Sequence, residues 1–472
     1  MQPRSTLKTG ISGVRGVVGE SLTPGLLTDF ALAFGTYINR GTVAVGRDTR
    51  PSGPMVREAL IGGLLATGCD VVDLGIVPVP TLQIAVKERR YDAGIAITAS
   101  HNPQEWNALK FIRADGVFLY PYQAEELLSI YHQGDFKYVG VREIGSVRHD
   151  DGALERHIAK LARLVDAKAI ARADFLVVVD CCNGAGSVIT RKLLRRIGVK
   201  RISMMNDTPD GIFPHNPEPV GANLGDLRAA VAANGADIGF AQDPDADRLA
   251  VCPENGAAIS EEFTLALACD AVASRTALPL VVNLSTSRMI DEVGERHGCT
   301  VTRAPVGEIN VVAEMRAQAV RYERDHPEAG PDSVIGGEGN GGVIDPRSHY
   351  CRDSLRGMCL ILEGLAHRGG KLSEWMADAF RPQFIYKDKV PCDASSVQTA
   401  LLALREKYAS AENGDDRDGL KVLWADRSWL HARPSNTEPI MRIIAEADDE
   451  KSARAISDRA RQVVEKVLRR RR

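Results

Sequence analysis

Long apolar runs are missing from this chain of 472 residues. None approaches the ~18 residues a membrane-spanning helix requires. Residues 1–10, MQPRSTLKTG, lack the apolar stretch of a secretory signal. The expectation is a cytoplasmic protein with no membrane partner. Net charge is also small. Lys plus Arg is 59 and Asp plus Glu is 62, giving −3 and no broad basic field for nucleic acid. The nine cysteines, at 69, 181, 182, 252, 269, 299, 351, 359 and 392, are odd in number and form no CxxC pair. No His pair has zinc-finger spacing, so a disulfide framework and a zinc site are both excluded, and reduced thiols are expected. Aromatics make up only 5%, yet 44% apolar and 26% charged residues are ordinary for a globular protein. That rules out a disordered, collagen-like or coiled-coil chain. At ~150 residues per domain the length suits about three domains, within a range of two to four.

What is present is alternation. The short apolar run Thr42-Val43-Ala44-Val45-Gly46 leads into Arg47-Asp48-Thr49-Arg50. A second run follows over 68–74, and a third over 93–98 enters Ala99-Ser100-His101-Asn102. The order recurs with runs at 175–180, 198–204 and 236–241, the last entering Gln242-Asp243-Pro244-Asp245. It recurs again at 279–284, 298–302 and 333–336, entering Gly337-Glu338-Gly339-Asn340. Strands separated by helical patterns read as α/β units. Three passages predict three similarly built domains, each with a polar loop after its third strand. Ligands in α/β sheets sit beyond strand ends, so three domains facing one cleft would bring the three loops together.

From about residue 371 the pattern changes to strands at 384–390, 421–425 and 440–446. A loop is expected over 429–439, and the polar stretch 409–418 reads as a surface loop. A last helix places Ala453, Ile456, Ala460, Val463, Val464 and Val467 on one face. The terminal run Arg469 to Arg472 reads as a solvated helix end. This is a small α+β domain presenting Arg433.

Four segments carry candidate chemistry. Thr98-Ala99-Ser100-His101-Asn102-Pro103 puts a hydroxyl beside an imidazole, though adjacency alone rarely makes a catalytic pair, and an Asn-Pro turn is the simpler reading. Lys110, ten residues on, is by itself a proton donor or a surface charge. Asp243-Pro244-Asp245-Ala246-Asp247-Arg248 sets three carboxylates at alternate positions, able on an extended loop to converge on one hard cation. It lacks the Gly and Glu positions of an EF-hand loop. Arg248 would bind an anion or offset the acids. Gly336-Gly337-Glu338-Gly339-Asn340-Gly341-Gly342 lets backbone approach a ligand, with Glu338 and Asn340 free to bond sugar hydroxyls. No Gly-Lys-Ser/Thr follows it, so it is not a P-loop. Arg433-Pro434-Ser435-Asn436-Thr437 offers a guanidinium, two hydroxyls, an amide and turn N–H groups, a set suited to a phosphate dianion. Each taken singly also reads as a polar turn.

Together, TASHNP, DPDADR, GEGNGG and RPSNTEP resemble the active-site loops of the α-D-phosphohexomutases, in the same order. Gly10-Ile11-Ser12-Gly13-Val14-Arg15-Gly16 is similar to that family's opening segment. The resemblance spans residues 10–442. It implies four domains around a central cleft: three similar α/β domains with mixed sheets and a smaller C-terminal α+β domain. The expected boundaries are 1–150, carrying a phosphoserine loop; 151–253, a metal loop; 254–370, a sugar-binding loop; and 371–472, a phosphate-binding loop. A hinge is expected near Gly369-Gly370.

The resemblance also implies roles. Ser100 would be modified to phosphoserine and would complete the coordination of one Mg²⁺ held by Asp243, Asp245 and Asp247. Lys110 would be the general acid/base, with Arg15 and His101 near the reacting oxygen. Glu338 and Asn340 would meet the sugar. Arg433, Ser435, Asn436 and Thr437 would grip the phosphate not being transferred, and Arg248 would offset charge. A phosphoserine brings about −1.5 to −2 charges, which is why it needs a cation and donors around it. The implied reaction is an intramolecular phosphotransfer between hexose 6-phosphate and hexose 1-phosphate, with a hexose 1,6-bisphosphate as intermediate and activator. Many members read Gly-Glu-x-Ser in the sugar loop, whereas Asn340 stands here at the Ser position. The chain most resembles the branch assigned as phosphoglucosamine mutases, so glucosamine phosphate is the expected substrate and mannose or glucose phosphate the alternative. A small-molecule sugar phosphate would be the partner of a monomer or homodimer. A sugar-phosphate phosphatase could use the same serine and metal, but it has no need to re-grip a second phosphate. A non-catalytic binding protein would need the serine or the metal loop broken, and neither is.

Overall fold

The computed structural model describes residues 6–10, 13–409, 411, 413–435 and 439–471. Their strands form four sheets. The first has seven strands, ordered Lys8–Gly10, Gly13–Val17, Trp106–Arg113, Ala93–Ile97, Thr42–Arg47, Asp70–Ile76, Val147–His149. The second is ordered Leu249–Pro253, Ile238–Gln242, Leu176–Asp180, Arg201–Met205. The third is ordered Val301–Ala304, Leu280–Asn283, Ile335–Glu338, Gly342–Ile344. The fourth is antiparallel throughout: Phe384–Pro391, Ile440–Ala447, Trp429–Pro434, Leu420–Leu423, Asn413–Asp415.

One unit recurs in the first three sheets. Counted along the chain, its strands lie in the order second, first, third, fourth. The first three are parallel, and the fourth turns back antiparallel to the third. The repeat that is degenerate in sequence is therefore regular in topology. In each unit the turn from third to fourth strand lies at the C-terminal edge, where α/β sheets bind ligands. Those turns are residues 98–105, 243–248 and 339–341, which carry Ser100, the three aspartates and Asn340.

Continuous apolar runs such as Ala93–Ile97 are buried along their whole length, as parallel strands covered on both faces must be. Helix Ser354–Arg368 is capped by Asp353, whose carboxylate accepts the Leu355 N–H, and its residues from Ser354 to Glu363 are all buried. It lies in a core that runs unbroken through the second and third units, from Ile158 to Phe380. Leu372 and Trp375 belong to that same core. Gly369-Gly370 therefore joins two helices of one packed body and is not a hinge. Residues 371–380, read from sequence as the start of the last domain, pack with the third unit because Trp375 buries its ring there and donates to Asp270 at 2.7 Å. The chain first leaves this core at residues 381–383.

Two further readings change. Trp429–Pro434 is a strand, not a loop: it pairs on both sides, and its polar His431 and Arg433 find partners that let it be buried. Asn413–Asp415 is a short strand within the stretch read as a surface loop. The last helix, Glu450–Arg471, buries Ala453, Ile456, Ala460 and Val464 against the fourth sheet, with Val463 and Val467 packed beside them. Arg469 is exposed; Arg472 lies outside the described residues. The nine cysteines are unpaired, all buried except half-buried Cys299. No helix among the described residues is long and apolar enough to cross a membrane.

Histidines stitch the units together. His157 bridges Thr81 (2.8 Å) and Asp353 (3.0 Å), linking all three α/β units. His349 is 2% exposed and its Nε2 bonds the Gly116 carbonyl at 2.9 Å across the first and third units. Burial pushes the His349 imidazole down to about 3. The unfolded chain, with an ordinary His value near 6.5, therefore takes the proton first as pH falls. The stability His349 contributes is complete above about pH 6.5 and is lost below it by about 1.4 kcal/mol per pH unit, until pH nears the folded value. Melting temperatures at pH 7 and pH 5 should differ less in His349→Gln than in the parent. Equal differences would show that the histidine does not govern this loss.

Candidate active site

The loop after strand Ala93–Ile97 is held open by a buried arginine. Arg50 donates to the carbonyls of Ser100, Asn102 and Pro103 (each 2.6 Å) and Trp106 (3.0 Å), with its Nε on Asp48 at 3.1 Å. Thr98 donates to Asp48 at 2.6 Å and accepts the Ser100 N–H at 3.0 Å. So clamped, Ser100 takes a left-handed backbone (φ 50°), a conformation that is costly for a residue with a side chain. Its hydroxyl then donates to Asp243 Oδ2 at 2.8 Å and lies 3.4 Å from His101 Nδ1.

The three aspartates are fully buried and their oxygens lie within 4.8 Å of one another. In each, one oxygen is already used. Asp243 Oδ1 accepts the N–H groups of Asp247 and Arg248, both at 3.1 Å. Asp245 Oδ2 takes Lys110 Nζ at 2.7 Å, and Asp247 Oδ2 takes Arg352 Nη2 at 2.5 Å. Asp245 Oδ1 and Asp247 Oδ1 have no hydrogen-bond partner among the described residues, although Arg248 Nε stands 3.9 Å from the latter. Burial, with Asp245 and Asp247 beside it, pushes Asp243 well above the carboxylate range. At Asp245 the same burial is outweighed by the Lys110 ammonium, which holds it low. Two unpartnered oxygens, a third shared with a serine hydroxyl and an all-oxygen donor set fit a small hard cation.

The sugar-loop candidate is stitched to this cluster. Leu249 N–H donates to the Gly341 carbonyl at 3.0 Å, and a Cβ on Gly341 (φ +85°) would lie 2.1 Å from the Leu249 carbonyl. Glu338 Oε1 accepts from Asn283 and the Gly307 N–H, both at 3.0 Å, and Oε2 from Arg352 Nη1 at 2.9 Å. Arg352 reaches a third carboxylate, Glu308, at 3.0 Å. Burial raises Glu308 to about 7, whereas at Glu338 the nearby Arg352 outweighs burial and holds the group low. Asn340 Oδ1 is buried and unpartnered among the described residues.

On the fourth sheet Arg433 is buried, with Nε on Asp418 at 2.9 Å. Asp418 also accepts the Val306 N–H at 2.9 Å, so residues 306 and 307 connect the Arg433 end to Glu338. The Ser435 N–H donates to the Ile440 carbonyl at 2.9 Å. Asn436 and Thr437 lie outside the described residues, as do Ile11 and Ser12. Arg15 Nη1 reaches Asn102 Oδ1 at 3.4 Å. Arg248 lies 3.7 Å from Glu218, which also approaches His101 at 3.8 Å; Arg248 and burial push the His101 imidazole well below its ordinary value.

Models of the phosphoglucomutase/phosphomannomutase family match in order along the chain: α/β/α domain I over residues 6–138, domain II over 155–256, domain III over 260–382, and the C-terminal domain over 389–463. A Thermococcus kodakarensis protein named phosphoglucomutase/phosphomannomutase is 38% identical, over 97% of this chain and 98% of its own. The chain belongs to the α-D-phosphohexomutase family. A Methanopyrus kandleri relative named "Probable phosphoglucosamine mutase" is 39% identical with the same coverage. The crystal structure of a Burkholderia thailandensis phosphoglucomutase/phosphomannomutase family protein superposes with a TM-score of 0.84 at 26% identity, covering 99% of this chain and 98% of that one.

In this phosphohexomutase the Ser100 hydroxyl and the Asp247 N–H both bond Asp243, Lys110 bonds Asp245, and Arg352 joins Asp247 to Glu338. Arg15 and His101 flank the Ser100 loop. Arg50, Glu308, Arg352 and Asp418 escaped sequence reasoning. Arg50 had a visible signal, the charged Arg47-Asp48-Thr49-Arg50 segment at a strand end. Arg352, in Tyr350-Cys351-Arg352-Asp353, had none.

Proposed function

We propose that this phosphohexomutase interconverts glucosamine 6-phosphate and glucosamine 1-phosphate, with Ser100 carrying the phosphoryl group as phosphoserine. The observation that carries the chemistry is the Ser100 hydroxyl, 2.8 Å from Asp243 in a buried cluster that still has unpartnered carboxylate oxygens. Asp243, Asp245 and Asp247 would hold one Mg²⁺, which supplies Lewis-acid neutralisation of the charge on the moving phosphoryl group. The chain's residues do the rest. The bond from Ser100 Oγ to phosphorus breaks as the sugar oxygen bonds the phosphorus. Lys110, entering this step as the free amine, takes up the sugar hydroxyl proton and becomes the ammonium that pairs with Asp245. It then returns that proton to the departing sugar oxygen as Ser100 Oγ takes the phosphoryl group back. Arg15 and His101 orient the reacting oxygen, and Arg248 offsets charge. Glu338 and Asn340 hold the sugar. Arg433, Ser435, Asn436 and Thr437 grip the other phosphate while the hexose 1,6-bisphosphate reverses end for end.

The sugar end supports glucosamine. It presents the Glu338 and Glu308 carboxylates and the unpartnered Asn340 Oδ1, a surplus of acceptors suited to an ammonium. The relative named phosphoglucomutase/phosphomannomutase favours mannose or glucose phosphate as the second reading. The same reading places the enzyme in the cytoplasm as a monomer or homodimer, with domain boundaries at 150 and 253 and the last moved from 370 to 381–383, where the chain leaves the core that holds Trp375.

³¹P NMR decides among substrates. Protein, Mg²⁺ and trace hexose 1,6-bisphosphate are mixed with glucosamine, mannose or glucose 6-phosphate in separate tubes. The anomeric phosphate signal is expected to grow fastest with glucosamine. Faster growth with mannose or glucose moves the assignment to the second reading, and free phosphate alone would make the protein a phosphatase.

A further inference from the structure

Away from the mutase centre, a cavity of about 560 Å³ opens between the third and fourth sheets. That volume is within the ~300–1,000 Å³ typical of small-molecule sites. Its third-sheet wall includes Leu284 and Arg288, and its fourth-sheet wall includes Lys421, Trp424 and Trp429. Trp429 and Arg433 are at opposite ends of one strand, so about 13 Å of extended chain separates the cavity from the phosphate-loop candidate. No residue of the Ser100, Asp243–Arg248, Glu338 or Arg433 loops lines it.

Two cations on its wall lack a bonded carboxylate. Arg288 is 5% exposed, yet its Nε and Nη1 have no hydrogen-bond partner among the described residues. The carboxylates nearest to it stand off, Glu446 at 4.0 Å and Asp448 at 3.8 Å. Glu446 is already engaged by the Ser287 hydroxyl, the Trp429 indole N–H and the Arg288 backbone N–H. Lys421 is buried as well; its Nζ donates to the Leu284 carbonyl and sits 4.1 Å from the Trp429 ring centroid. The other arginines of the cavity are satisfied: Arg303 by Asp291 at 2.7 Å and Arg427 by Glu295 at 3.0 Å. Burial depresses both Arg288 and Lys421, outweighing the pull of Glu446, the nearby carboxylate they share. Buried charges of this kind are costly unless something pairs with them.

We infer that this cavity is a second ligand site, for a small anion with a flat apolar body, such as an aryl carboxylate, sulfonate or phosphate. The anionic group meets Arg288 and Lys421, and the flat body lies along the half-buried Trp424 ring, while the fully buried Trp429 backs Lys421 from beneath. Because the walls come from two sheets, an occupant ties the fourth sheet to the third.

The test uses the full chain and two fluorescent probes of similar shape, anionic 8-anilinonaphthalene-1-sulfonate and uncharged N-phenyl-1-naphthylamine. One sulfonate is expected to bind per chain, at least tenfold more tightly than the uncharged probe. Arg288→Gln should weaken sulfonate binding at least tenfold, and Arg433→Gln should leave it unchanged. If Arg288→Gln melts early, Trp424→Ala, whose ring is half-buried, makes the same comparison. The inference falls if the sulfonate does not bind, if the uncharged probe binds equally well, if binding survives both cavity substitutions, or if it is lost in Arg433→Gln.

Discussion

Ser100→Ala is expected to lower mutase turnover by about 10⁴-fold or more, the scale on which loss of a nucleophile acts, while sugar-phosphate affinity changes little. The neighbouring hydroxyl of Thr98, which accepts the Ser100 N–H, cannot stand in. It is committed to Asp48 at 2.6 Å, and its 3.3 Å contact with Asp245 is the weaker of the two. The serine alone is turned into the carboxylate cluster by a strained backbone, and Arg50 anchors that turn with four hydrogen bonds to carbonyls. The proposed grips on substrate, Glu338 and Arg433, are on other sheets and keep their partners in the variant. Calorimetric titration with glucosamine 6-phosphate should therefore give nearly parental affinity. Mass spectrometry of protein incubated with hexose 1,6-bisphosphate should find one added phosphoryl group on the parent and none on the variant. Turnover above about a hundredth of the parent's would remove Ser100 from the chemistry.

How far such a site can be read from sequence depends on how local its geometry is. The aspartates sit at alternate positions of one turn, so their convergence is nearly dictated by the chain, and Asp243, Asp245 and Asp247 were legible. The three-domain repeat was legible because each passage ends its third strand in a polar turn, although only the sheets reveal the shared second-first-third-fourth order. The strand Trp429–Pro434 was not. Its polar His431, Arg433 and Pro434 resemble a turn until Ser285 and Asp418 are seen to satisfy them. The helix carrying Trp375 was assigned to the wrong body because Gly369-Gly370 breaks the local pattern, while its burial is decided by contacts with the distant helix Glu262–Ala273. Arg352 shows the limit most plainly. Its partners are 14 and 105 residues away, and nothing in its immediate sequence distinguishes it from a surface arginine.

Arg352 also yields the sharpest remaining test. Its fork holds one oxygen of Asp247, leaving the other unpartnered, and its remaining nitrogens fix Glu338 and approach Glu308. It thus couples the proposed metal loop to the proposed sugar loop with one rigid planar group, which a lysine cannot imitate. Arg352→Lys retains the charge and loses the fork. The protein should stay folded, but Asp247 and Glu338 lose their fixed orientation. Removal of an outer partner of this kind typically costs 10–100-fold in metal affinity or activity, so Mg²⁺ half-saturation should rise by about tenfold or more. The KM for sugar phosphate should rise with it. Arg352→Gln goes further by leaving buried carboxylates without a cation, a loss of about 3–5 kcal/mol, visible as an early melt. Charge and geometry separate in the pair. If Arg352→Lys keeps parental Mg²⁺ half-saturation and KM, a positive charge alone suffices there and the coupling through the fork is wrong. If both change while the melting temperature holds, the arginine is a positioning residue for metal and sugar together.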